Sequence, residues 1–250
     1  MPAPLKPARR RAEAEMVDPS RYAFVQGWSA TRTTLRRWNA EPWPIVRVWL
    51  AGGLVVSVAL LAAVFVISTI ATPDPTHYAL PGLNRPVTPG AVGAILFRNG
   101  LVLALHAFAC VAGFIAGSSL PLQAERHTGF QRWLHRKAGP AAIAFVVAAT
   151  TFSLCTQAYV LGSAAATLAQ QVALPPLVLL LTLAPHALLE LMALFMPLAA
   201  WIIASRRGDW EQLLAATFST VALAVPMLLL AAALEVTFWP DLLRLVSSRY

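Results

Sequence analysis

Along the chain, long apolar runs alternate with short segments where arginine, proline and tryptophan gather. The apolar runs cover residues 45–71, 101–120, 140–162, 172–205 and 213–238. A helix that crosses a bilayer needs about 20 mainly apolar residues, so four of these runs predict one span each. The run 172–205 is too long for one simple span and too short for two. Pro185 divides it. Residues 185–205 would rise about 31 Å as a helix, one hydrocarbon core. The piece before them, 172–184, would cover only about 20 Å and predicts a half-helix in or along one side of the membrane. A second short apolar piece, 91–97, precedes the second run. Spans one–two and three–four therefore read as a weak parallel repeat, an arrangement known among transporters. The expected fold class is all-α, a multi-pass membrane helical bundle with about five transmembrane helices, short half-helices and an N-terminal amphipathic helix.

The segments between runs divide the chain further. Residues 1–17 are rich in proline, alanine and arginine and predict a disordered basic tail. Residues 18–44 predict a cytoplasmic amphipathic helix and linker. Asp18 and Pro19 read as N-cap and first helical residue, and Phe24, Trp28, Thr31, Leu35 and Trp38 share one face. Such a helix suits either the membrane interface or packing against the inner ends of the spans. The transmembrane domain is expected over 45–240, with an external C-terminal tail over 241–250. Residues 72–90 hold five prolines and predict an irregular external loop. The connection 123–138 carries Phe130 and Trp133 among basic residues and predicts a short interfacial segment. Trp239, an expected interfacial anchor, ends the fifth span with Pro240 and Asp241.

Composition changes the picture little and excludes much. Of 250 residues, 58% are hydrophobic and 12% charged, against roughly 25% charged in globular proteins. A soluble metabolic enzyme is excluded. Cys110 and Cys155 both lie inside apolar runs, which excludes a disulfide scaffold. The net charge of +8 would fit nucleic acid, but its distribution fits topology better. Fourteen basic residues fall before span one, after span two and after span four, against four on the other side. By the positive-inside rule the N-terminus is expected in the cytoplasm of a bacterium and the C-terminus outside. Nucleic acid is thus not an expected partner. Membrane lipids and other envelope proteins are, and self-association into a homo-oligomer is allowed.

Ionisable residues inside a membrane span cost about 2.5–3.5 kcal/mol each on insertion scales and are functional candidates. Glu190 follows His186 by four residues, so both lie on one helix face. On the second span Asn99, His106, Cys110, Gly113 and Gly117 fall within about 60° of one another at 100° per residue. Ala109, Gly113 and Gly117 make a small-residue stripe that allows close packing, more in keeping with packing inside the chain than with a dimer contact. Spans two and four run in the same direction, and span five brings Glu235 to the same level. The expectation is one polar cluster in the outer third of the membrane, formed by Arg98, Asn99, His106, His186, Glu190 and Glu235.

No familiar chemistry attaches to these residues. A catalytic zinc takes three protein ligands, and the chain has no HExxH and no G-x-S-x-G. No catalytic residue, metal site or cofactor is expected. The cluster reads either as a proton or ion relay through His186 and Glu190, or as a hydrogen-bonded lock between spans two and four. Buried polar groups must find partners in lipid, which alone would account for the lock.

Two segments carry a family resemblance. Phe97-Arg98-Asn99-Gly100, leading into the glycine-bearing second span, and Leu183-Ala184-Pro185-His186-Ala187-Leu188-Leu189-Glu190 resemble the stage II sporulation protein M family of multi-pass membrane proteins. Members often have Pro-His-Gly followed by Glu; here Ala187 replaces the glycine. The Glu41-Pro42-Trp43-Pro44 entry to span one also departs from the pattern. The resemblance extends loosely over 20–240 and implies a non-enzymatic envelope protein. The namesake works with peptidoglycan-degrading partners during engulfment. The expected function is accordingly an inner-membrane scaffold or assembly subunit of a cell-envelope complex, the alternative a permease or channel component that uses the polar cluster.

Overall fold

In the computed structural model, residues 23–120 and 128–249 are described. The tail 1–17 and the Asp18–Pro19 helix start lie outside the described residues. The elements are α1 (Ala23–Ala40), α2 (Trp43–Ile70), α3 (Pro89–Phe114, running into a π turn at Ile115–Ser119), α4 (Gly129–Gln171), α5 (Pro176–Arg207), a 3₁₀ turn (Trp210–Gln212) and α6 (Leu213–Val246). Helices α2 to α6 are each long and apolar enough to cross a membrane. The chain is an all-α, multi-pass membrane bundle with five spans. Among the described residues there is no strand, only an isolated bridge between Pro81 and Arg85.

Local sequence sets the helix starts. Thr88 caps α3, its hydroxyl accepting from the Ala91 N–H at 3.2 Å, with Pro89 at the first helical position. Proline also opens α2 and α5, where the missing N–H costs nothing. Gly208 ends α5 in the left-handed region at φ 75°, its N–H returned to Ala204.

The half-helices do not form. Residues 176–184 belong to α5, which runs unbroken through Pro185 and Pro197, and 91–97 belong to α3. A proline removes one N–H and crowds the preceding turn, but neighbouring helices and hydroxyl groups can sustain a membrane helix across it. Here Thr182 donates to the Leu179 carbonyl at 2.7 Å and accepts from the Trp239 indole at 3.3 Å, bracing the turn before Pro185. With the partial helices gone, the repeat they suggested goes too. Likewise α6 does not stop at Trp239 but continues through Pro240 to Val246, so the expected C-terminal tail is mostly helix. Phe130 and Trp133, expected in a separate segment, stack within the first turns of α4.

Helix α5 is the centre of the bundle. It packs against α2, α3 and α6, and 61% of its span is buried against 11% for α4. Its contact with α2 is close because α2 carries glycine there: a Cβ on Gly53 would lie 3.0 Å from the Met192 carbonyl oxygen. Helix α1 lies across one end of the bundle, packed against α6 and the 3₁₀ turn. Gly27, Thr31 and Thr34 are buried there, while Trp28 is 64% exposed. The face that packs is thus rotated from the expected aromatic one, since Gly27 admits the Phe114 ring where a side chain would collide.

We call this end the α1 face. The opposite end is the loop face, where residues 72–88 fold back onto the bundle. Thr167 accepts from the Asp74 N–H at 3.0 Å, and Gln171 pairs with the Tyr78 main chain. Arg244 donates to the Gly82 carbonyl at 2.5 Å. Gly82, at φ 82°, sits where a Cβ would strike the Pro240 ring. The loop is irregular but tied down.

Candidate functional site

Helices α3 and α4 touch near the α1 face, where a Cβ on Gly139 would lie 2.9 Å from the Ala116 carbonyl oxygen. Nearer the loop face they diverge. Between them, with α2, α5 and α6 behind, lies a cavity of about 630 Å³. Most of its wall is apolar, from residues such as Leu61, Val64, Val102 and Leu183, and Tyr78 to Leu80 of the loop close its upper end.

Five of the six residues expected to cluster line this one cavity: Arg98 and Asn99 from α3, His186 and Glu190 from α5, and Glu235 from α6. Glu190 faces Asn99 and Glu235, and Glu235 in turn faces Arg98. These groups surround a space instead of closing on one another. Among the described residues the only direct ion pair is Arg244–Asp241, and the buried Asn99 Nδ2 has no hydrogen-bond partner in the protein. His186 is 6% exposed and sets its ring edge-on to Trp239 at 6.0 Å.

His106 departs from the expectation. It shares the face of Asn99 but lies seven residues further along α3, about 10 Å, and does not line the cavity. It is fully buried beneath, edge-on to Phe195 at 5.3 Å, and neither ring nitrogen has a partner. Below it the Cys110 thiol donates to the Pro197 carbonyl at 3.0 Å. The small-residue stripe also packs in its own way. Ala109 is buried, a Cβ on Gly113 would lie 2.5 Å from the Trp201 indole nitrogen, and one on Gly117 would collide with the Trp210 indole. The stripe accommodates two indoles of the same chain, not the backbone of another helix.

Residues not foreseen complete the site. Thr156 and Gln157 of α4 line the cavity; a glutamine and a threonine in an apolar span were the available signal. Trp239, expected at the lipid interface, is 4% exposed and forms part of the wall. Among the described residues no group of three or more His, Cys, Asp or Glu side chains could hold a metal ion.

The level of the site follows from counting. About 20 helical residues, or 30 Å, cross the hydrocarbon core. Measured from the charged ends near the α1 face, 20 residues separate Arg206 from His186 and Lys137 from Gln157. Counting the same 20 back from Ser119 reaches Asn99. The polar wall thus lies about 30 Å along the helices from the charged ends, toward the loop face.

No family model, curated protein or solved structure matches the chain. Fold and cavity together define a multi-pass membrane protein with a partly polar cavity toward the loop face.

Proposed function

We propose that the chain is a non-enzymatic scaffold or assembly subunit of a cell-envelope complex in a bacterial inner membrane, with α1 in the cytoplasm and the loop face outside. The observation that carries this reading is the construction of the loop face. Residues 72–88 are held from α4 by Thr167 and Gln171 and from α6 by Arg244. Beyond them, Ser247 and Arg249 donate to the carbonyls of Val172 and Gln171. A loop held at so many points keeps exposed groups such as His77 and Arg85 in fixed places, as a docking platform requires. The excess of basic residues toward the α1 face supports the orientation, and the resemblance to the stage II sporulation protein M family supports an envelope role.

A permease or channel component is the second reading, favoured by the polar cavity around Glu190. The interior beyond the cavity speaks against a through-passage: His106, Phe195, Cys110 and Met196 fill it with no exposed surface.

Site-specific photocross-linking in cells tests the first reading. A cross-linker at 77 or 85 should give one discrete protein adduct, and one at Phe152, which faces outward on α4, should not. Absence of any adduct at 77 and 85, with solute flux by the purified protein alone in liposomes, would overturn it. Flux that Glu190→Gln abolishes would establish the second reading instead.

A further inference from the structure

The cavity carries an inference that does not depend on the envelope-subunit reading. Its charged wall holds two carboxyl groups, Glu190 and Glu235, and one guanidinium, Arg98. Glu190 and Glu235 are half-buried and Arg98 is exposed, and no direct ion pair joins the three. The two carboxyl groups are acceptors that a cationic donor would satisfy. Arg98 and the unpartnered Asn99 amide are donors and call for an anionic acceptor. The complement to this wall is a small zwitterion with an ammonium at one end and an anion at the other.

The rest of the cavity says what the zwitterion is attached to. The apolar wall of Leu61, Val64 and Val102 suits hydrocarbon. Arg98 on α3 and Thr156, Val160 and Leu161 on α4 are exposed on opposite sides of the gap, so the cavity opens between these helices toward the bilayer. The polar wall lies toward the loop-face end of the spans by the residue count above. We propose that the cavity is a binding site for an aminophospholipid. The ammonium sits between Glu190 and Glu235, the phosphodiester on Arg98 and Asn99, and the acyl chains leave between α3 and α4. The volume of about 630 Å³ falls in the range of ligand pockets, roughly 300–1,000 Å³.

Native mass spectrometry of the delipidated full chain tests this, with phosphatidylethanolamine, phosphatidylglycerol and phosphatidylcholine of identical acyl chains as probes. One phosphatidylethanolamine should bind about tenfold or more tightly than either other lipid, since one charge-assisted hydrogen bond is worth about 1.5–3 kcal/mol. Phosphatidylglycerol lacks the cation and phosphatidylcholine cannot donate from it. Glu190→Gln with Glu235→Gln should abolish that preference, and Arg98→Gln should weaken all three lipids alike. Soluble glycerophosphoethanolamine should compete, which separates headgroup recognition from chain contacts. If the double variant does not fold, Ala164→Trp, which fills the cavity from α4 without touching a charge, should remove the bound lipid. Equal affinity for the three lipids, or a preference that survives Glu190→Gln with Glu235→Gln or Ala164→Trp, would overturn the proposal.

Discussion

Gln171 and Tyr78 exchange two hydrogen bonds: the Tyr78 N–H donates to Gln171 Oε1 at 2.8 Å, and Gln171 Nε2 donates to the Tyr78 carbonyl at 3.0 Å. A side-chain amide here does for the loop what a neighbouring strand would do in a sheet. The Tyr78 carbonyl has a second donor in Asn84, whereas its N–H depends on Gln171. Gln171→Ala should therefore loosen the loop by about 1–3 kcal/mol without unfolding the bundle. Hydrogen exchange at the Tyr78 amide reads this directly: each 1.4 kcal/mol is a tenfold faster exchange. An unchanged rate would show that the loop is held elsewhere.

Two glycines of α3 make a matched pair. A Cβ at Gly113 would lie 2.5 Å from the Trp201 indole nitrogen, while one at Gly100 would meet nothing within 4 Å. Gly113→Ala should cost about 1–3 kcal/mol through overpacking. Gly100→Ala should be neutral or stabilise by up to about 1 kcal/mol through helix propensity. Thermal unfolding in detergent should lower the midpoint of Gly113→Ala and leave that of Gly100→Ala equal to the parent or higher.

His106 is buried with two unpartnered ring nitrogens beside Phe195. Replacing an unpaired polar ring with an apolar one of similar size removes a desolvation cost. His106→Phe should hold or raise the melting temperature, whereas His106→Ala should lower it by the few kcal/mol, about 2–4, of a new core cavity. A large loss in His106→Phe would mean that the imidazole is held by the main chain of Val102 or Leu194, which face it.

Asp74 supplies a pH dependence on the loop face. Its carboxylate accepts from the Thr76 hydroxyl at 2.5 Å and from the Thr76 N–H at 2.9 Å, and these bonds hold it below its ordinary value of 3.8. A depressed carboxylate contributes its stabilisation above the unfolded pKa and loses it as pH falls through the folded one. The turn at Thr76 should therefore be fully formed at neutral pH and open only below the ordinary carboxylate range. NMR titration of Asp74 should find the lowered midpoint, and Thr76→Val should move it back toward 3.8.

Hydropathy alone placed all five spans, because bilayer thickness fixes how many apolar residues a helix must supply. The same ruler, with the 100° helical period, made the level and angular position of Asn99, His186, Glu190 and Glu235 readable. It did not separate His106 from Asn99, since a shared face gives angle and not depth. The loop was illegible for another reason. Its bonds join residues 93 positions apart, Asp74 to Thr167 and Tyr78 to Gln171, and no local pattern encodes such a pairing. Trp239 illustrates the third kind of failure: position at a helix end suggests an interface anchor, and only packing against His186 and Thr182 shows an inward-facing wall.

Pro185 tests how far rules learned in water apply here. As a breaker it would separate a half-helix from a span, and its replacement would create a long helix the fold does not contain. In the structure the helix is already continuous from Pro176 to Arg207, and Pro185 itself is exposed. Pro185→Ala then restores a hydrogen bond to the Leu181 carbonyl and removes a ring that crowds the turn. In water an interior proline costs about 3 kcal/mol relative to alanine; in a membrane bundle neighbouring helices compensate part of that. The expected gain is smaller, about 1–2 kcal/mol, seen as a higher melting temperature with topology unchanged. Single-cysteine accessibility over 176–190 should follow one unbroken 3.6-residue period in both the parent and Pro185→Ala. A phase break at 185 in the parent that the substitution erases would mean two separate helices and would remove the common rod that sets Thr182 and His186 together against Trp239.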